Sequence, residues 1–337
     1  GANGATTVQP AALQAKILEA DQRPECVAID LPAFTGVDAE APTAAALANA
    51  DTLILLNERR LEQLYGADER NRVRAAADRL VAAAGTDPTL GITPVVVPVD
   101  AYPAVQQAYV DWDSAAGSCD PNAANAVVAA INETIIDPIR DQLDHITILG
   151  TDEVIPMARL ADRTTIANEY DYRNEFDGDL AGGDPDGRNA FTSTMWESSI
   201  LSDEPYGEAA ARSLGDRFLY VTDVALGRVV ETPDEIVDAL DTFVEFDGNL
   251  DIDTATVLGY DFLADGSAAI SDALDDTLPV DDELAAGPDP LTQEGWTADR
   301  ATEKLRDVRD ASARALVSLN AHFDHYRALP AIGDKVL

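Results

Sequence analysis

The 337-residue sequence is short of cysteine, histidine, lysine and long apolar runs, and each shortage excludes something. No stretch of about 18 apolar residues occurs, so no transmembrane helix is expected. Two cysteines, Cys26 and Cys119, are too few for a disulfide framework or a cysteine-based metal cluster, and neither is expected. Neither the G-x-G-x-x-G pattern nor the P-loop pattern is present, which argues against a phosphate-cradling nucleotide site. Basic charge is scarce as well: 23 Lys and Arg face 62 Asp and Glu, a formal net charge of −39. Only Lys16, Lys304 and Lys335 are lysines. Such a surface repels nucleic acid and anionic membrane, so neither is expected as a partner. Its self-repulsion is relieved where molar salt cuts the Debye length to about 3 Å, and the composition reads as halophilic. Gly1 opens no basic, apolar and cleavage-site series, and the start reads as a processed or truncated end.

What is present is regular. Apolar residues make up 46% and recur in repeating patterns, which excludes wholesale disorder. At roughly 150 residues per domain the length suggests about two domains. Val27–Asp30, Thr52–Leu56, Ile92–Val99, His145–Gly150, Phe218–Asp223, Thr254–Phe262 and Arg314–Asn320 read as strands. Glu58–Tyr65, Asp68–Ala84, Ala123–Leu143, Ser267–Leu274 and Thr297–Asp307 read as helices, with Asn122 or Asn125 near the start of the third. Thr232-Pro-Asp-Glu235 opens another helix, running to about Phe246: Thr232 can cap, Pro233 suits the first turn, and Glu235 can close a capping box. Strands alternating with helices predict an α/β fold with mainly parallel sheets and flanking helices. The expected division is a leader at 1–50, a Rossmann-like subdomain at 51–230, and a further α/β subdomain at 231–337.

Sites in open α/β sheets gather beyond the carboxyl ends of the strands. The strand ending at Asn320 is followed by Ala321-His-Phe-Asp-His-Tyr326, which holds two of the three histidines. A histidine there has fixed reach and a pKa near neutrality, as a general acid or base needs. The alternative is a pair of hydrogen-bonded structural histidines in a turn. A second alternative is metal chemistry: Asn320-Ala-His-Phe-Asp-His325 differs by one residue from a His-x-His-x-Asp-His motif that holds hydrolytic metal ions. The Asp/Gly-rich loop 177–187 invites calcium, but Ala181 and Arg188 stand where an EF-hand needs ligands. Asp152 and Glu153 read as a capped turn before Pro156, and Arg159, Arg163 and Arg173 as ion-pair partners. Tyr260, Tyr326, Trp196 and Trp296 could line a cleft or fill the core.

Four segments occur in a telling order: Leu149-Gly-Thr-Asp-Glu-Val-Ile-Pro156, Leu226-Gly-Arg-Val-Val-Glu-Thr-Pro-Asp-Glu-Ile236, Gly259-Tyr-Asp-Phe-Leu-Ala-Asp-Gly266 and Ser318-Leu-Asn-Ala-His-Phe-Asp-His-Tyr326. From about residue 52 onward the chain resembles the gingipain-like cysteine peptidases, which have the caspase-type fold. The resemblance implies that 231–337 is the opening part of a caspase-like subdomain. It implies hydrolysis of a peptide bond in a protein or peptide substrate, no required cofactor, structural calcium in some members, and secretion. It places the catalytic histidine at His322, with Ala321 where relatives often carry Gly; His325 matches a second, unassigned histidine. In such enzymes the catalytic Cys follows the histidine, and no cysteine follows residue 322 here. Cys119 reads as a loop residue far upstream. The expectation is therefore that the nucleophile lies beyond residue 337, or that the protein is an inactive caspase-like interaction module.

Overall fold

The computed structural model describes residues 26, 28–166, 168–173, 190–208, 211–214, 217–249, 252–259, 263–284, 296–310, 315–323 and 328–329. The architecture is α/β, with two parallel sheets flanked by helices. The chain forms two compact units, Gly1–Gly248 and Asn249–Leu337.

The first unit is built on β1 (Thr52–Leu56), β2 (Pro94–Pro98), β3 (His145–Leu149) and, later in the chain, Ala225–Val229. These pair in parallel, with β1 central between β2 and β3 and Ala225–Val229 outside β3. Every residue of β1 is buried, as a strand covered on both faces requires. Pro94 and Pro98 suit β2 because it is an edge strand, where an N–H can be missing without breaking a ladder. Two short antiparallel pairs intervene: β4 (Ala158–Ala161) with β5 (Ser199–Ser202), and β6 (Arg212–Leu214) with β7 (Arg217–Leu219). Ala225–Val229 is therefore β8.

Around the first sheet lie α1 (Ala44–Asn49), α2 (Glu58–Tyr65), α3 (Ala67–Thr86), α4 (Pro103–Asp113), α5 (Pro121–Ile131), α6 (Ala190–Trp196), the single turn α7 (Glu204–Gly207) and α8 (Pro233–Glu245). Gly66, at φ +93°, makes the corner between α2 and α3 that a side chain would strain. The capping box at α8 forms as the sequence predicts: Glu235 N donates to Thr232 Oγ1 and Thr232 N to the Glu235 carboxylate.

Several expectations are corrected here. The helix read over Ala123–Leu143 is α5 followed by a wide turn at Asn132–Ile136 and a tight one at Asp137–Gln142. Pro138 lacks the N–H that an α-helix needs and its ring clashes with the preceding turn. The cap is Asp120, which accepts from Asn122 N, rather than either asparagine. The strand read over Phe218–Asp223 is only Arg217–Leu219, and it sits in a hairpin; the sheet strand is β8. Residues 28–30 pair with no sheet, though Ile29 N donates to Asp113 O at the end of α4. The largest correction is covalent: Cys26 and Cys119 are joined in a disulfide, with Cα atoms 5.8 Å apart. Their separation of 93 residues carries no pairing signal, and only the fold brings them together.

The second unit is a three-stranded parallel sheet with β9 (Thr254–Gly259) between β10 (Val280–Leu284) and β11 (Ala315–Asn320). Helix α9 (Ala264–Asp275) connects β9 to β10, and α10 (Ala298–Asp310) connects β10 to β11. Leu258, Trp296, Ala301 and Ala321 form its core. Trp296 is thus a core residue, with its indole N–H donated to Gly259 O. After β11 the chain forms a short antiparallel pair, β12 (His322–Phe323) with β13 (Ala328–Leu329).

Candidate functional site

The second sheet delivers His322 to its carboxyl edge. Asn320, the last residue of β11, is in register with Gly259, the last residue of β9. Asn320 Nδ2 donates to Leu258 O at 3.1 Å and to Ser318 Oγ at 3.0 Å, which fixes the strand end against its neighbour. Ala321 follows, buried in the core, and its backbone has no positive φ, so glycine is not needed there. The backbone of His322 comes next and pairs in register with Leu329. Among the described residues β11 is paired on one side only, by β9, and Leu316 and Val317 are exposed along it. Asp324, His325 and Tyr326 lie outside the described residues, as do Tyr260 and the acidic loop 177–187. Among the described residues, no group of three or more His, Cys, Asp or Glu is arranged to hold a metal ion.

The carboxyl edge of the first sheet carries a polar constellation that the sequence reading missed. Asn57, directly after β1, caps α2 by accepting from Arg60 N at 2.9 Å. Asp100, after β2, accepts from Glu58 N at 3.0 Å and Arg59 N at 3.2 Å, so a carboxylate faces the helix N-terminus. Burial nonetheless raises the Asp100 pKa above the usual carboxylate range, the backbone donors opposing it. Arg60 is buried, pairs with Asp113, and lies over the Tyr109 ring at 4.9 Å and the Trp112 ring at 5.5 Å. Burial raises the Asp113 pKa and the Arg60 charge opposes that rise. Burial likewise pushes the Tyr109 hydroxyl up; it donates to Val154 O at 2.8 Å.

These groups line a cleft of about 250 Å³ together with Arg59, Gln63 and Gln106. Yet Arg60 is matched by Asp113, and Arg59 reaches Asp38 at 2.5 Å. Asp152, as expected, caps the turn before Pro156: it accepts from Met157 N at 2.7 Å and pairs with Arg159. Arg228 donates to Asp203 and to the carbonyls of Gly150 and Ile155. The arrangement organises loops and offers no nucleophile. One signal for it was legible: Arg60 sits within the apolar face of a short helix, next to Leu61, where only a paired charge can be buried.

The disulfide removes both cysteines from nucleophilic chemistry, since only a thiolate attacks. Compared with protein-family models, curated proteins and solved structures, the chain matches none.

Proposed function

We propose that this chain is the histidine-bearing part of a gingipain-like cysteine endopeptidase, with a Rossmann-like unit followed by a caspase-like one. The observation that carries this reading is the position of His322, two residues beyond the paired end of a parallel strand that, among the described residues, has no neighbour on its outer side. That edge is where a further strand can dock and bring a sulfur beside the imidazole. On this reading the nucleophile is neither Cys26 nor Cys119, since the two are joined to each other.

His322 would deprotonate the thiol, and the thiolate would attack the scissile carbonyl. The C–N bond breaks as the imidazolium gives its proton to the leaving amine, and water then hydrolyses the thioester to free acid and thiol. Backbone N–H groups at the strand ends would hold the oxyanion. The disulfide supports export, since such bonds persist in oxidising surroundings.

The test is protein extended past residue 337, assayed on peptides in molar KCl. Hydrolysis should be lost on thiol alkylation and in His322→Ala, and kept in Cys119→Ser. Activity that needs zinc and ignores alkylation would establish the metallohydrolase instead. No hydrolysis under any condition would leave the interaction module.

A further inference from the structure

A second pocket lies on one face of the first sheet, between β1, β3 and β8 and the helices α3 and α8, reaching from Thr52 and His145 at the amino ends of β1 and β3 to Val229, the last residue of β8. Its volume is about 260 Å³. The floor is Ile54, Leu80 and Leu240, all buried; Phe243 walls it, Thr147 adds a hydroxyl, and exposed His145 stands at the rim. The space has a cause in the sequence. Gly227 of β8 is in register with Thr147 and therefore on the same face of the sheet, and a Cβ there would meet nothing within 4 Å. From above, α8 contributes Ala239, Leu240 and Phe243. The small side chain of Ala239 leaves part of this space unfilled, where a close-packed interface would place a larger one.

The lining is chiefly hydrocarbon, and water is held well only where several polar groups converge. An engineered cavity of roughly 150 Å³ with such walls takes up benzene, so this pocket has room for a single ring with a short substituent. The rim sets the charge preference. Asp51 adjoins the lining residue Thr52, and its Oδ1 accepts from Thr52 Oγ1 and from Thr93 N, each at 2.7 Å. His145 N is bound in turn to Asp51 O at 3.1 Å, which fixes the rim to this acid. With a net charge of −39 over the whole chain, an anionic ligand is repelled at long range.

We infer that this pocket binds a small apolar amine, its hydrocarbon body between Ile54 and Leu240 and its ammonium toward Asp51. The site lies in the first unit, and the inference is independent of the role of His322.

The test uses the 337-residue chain at the lowest salt that keeps it folded. Benzylamine, benzyl alcohol and benzoate are titrated in turn, following the methyl resonances of Ile54 and Leu240. Benzylamine should shift them saturably, and benzoate should bind about tenfold more weakly or worse. Thr147→Leu fills the space and should abolish the shift. Ala239→Leu, at an exposed position of the lining, gives the same readout should the first variant not fold. No saturable shift with benzylamine, benzoate binding as tightly as benzylamine, or unchanged binding in the filled variant would each overturn the assignment.

Discussion

Asp152 and Arg159 form a buried two-pronged ion pair, with Nη1 2.6 Å from Oδ1 and Nη2 2.6 Å from Oδ2. Arg159 also lies over the Trp112 ring at 5.5 Å, so the guanidinium is enclosed from two sides. Removing the acid takes both carboxylate bonds from a buried cation and leaves its charge without this counter-ion. Asp152→Ala should therefore cost about 3–5 kcal/mol of unfolding free energy, measured by chemical denaturation. Asp152→Asn keeps an acceptor for Met157 N and should cost less. A change under about 1 kcal/mol in the alanine variant would show that the loop rearranges to release Arg159.

The disulfide closes a loop spanning a sequence separation of 93 residues. On the chain-entropy account, a loop of this length contributes about 4–5 kcal/mol by restricting the unfolded chain. The Cys26→Ser, Cys119→Ser double variant should unfold at markedly lower temperature, and reductant should lower the melting temperature of the parent chain alone. The segment after Cys26 keeps other ties: Thr35 N donates to Glu62 at 2.8 Å and Gln63 Nε2 to Pro32 O at 2.8 Å. Limited proteolysis of the double variant should therefore cut first before residue 29 and spare 32–38.

In the second unit, Glu283 lies between Arg300 and Lys304. Hydrogen bonds from Arg300 and then Lys304 pull its pKa down to about 2, below the ordinary 4.5. A depressed acid stabilises the fold above its unfolded pKa, and that contribution disappears as pH falls through the folded value. Carboxyl NMR should thus find Glu283 still ionised at pH 3.5, where ordinary glutamates are mostly protonated. Arg300→Gln should return it toward 4.5.

Much of this architecture could be read from the residues, and the gaps have physical causes. The run Thr52–Leu56 is apolar throughout because both faces are covered, and the box at Thr232 and Glu235 is a local hydrogen-bond pair that needs no tertiary context. β8 was obscured by Arg228, a charge within a sheet strand. Its partners are Asp203 and loop carbonyls supplied by the fold. β10 was obscured by three acids in Val280-Asp-Asp-Glu-Leu284: Asp281 and Glu283 are held by cations on α10, and Asp282 accepts from Ser271 of α9. The strand-end position of His322 was legible because apolar patterning marks where β11 stops. Of the polar constellation at the first sheet only Arg60 gave a signal, because Asp100 lies 42 residues beyond Glu58, and Asp113 53 residues beyond Arg60.

The charge of −39 sets two effects against each other when salt is added. Screening weakens the attractive pairs, among them Arg72–Asp234 and Arg79–Asp241, which bind α3 to α8. Both pairs are exposed, and exposed pairs contribute about 0–1 kcal/mol each. Screening also weakens the repulsion among the acids. Even with each of the 23 Lys and Arg residues matched to one acid, most of the 62 Asp and Glu residues remain unmatched. That repulsion acts across the whole surface, and it fades as the Debye length falls from about 10 Å at 0.1 M to about 3 Å at 1 M. The buried pair Asp152–Arg159 and the half-buried pair Asp203–Arg228 are screened less and should survive. Repulsion therefore dominates, and the melting temperature should climb steadily between 0.1 M and 1 M KCl (about the range over which the Debye length changes most). A melting temperature that falls over that interval would mean that surface attraction outweighs repulsion, and the halophilic reading of the composition would fail with it.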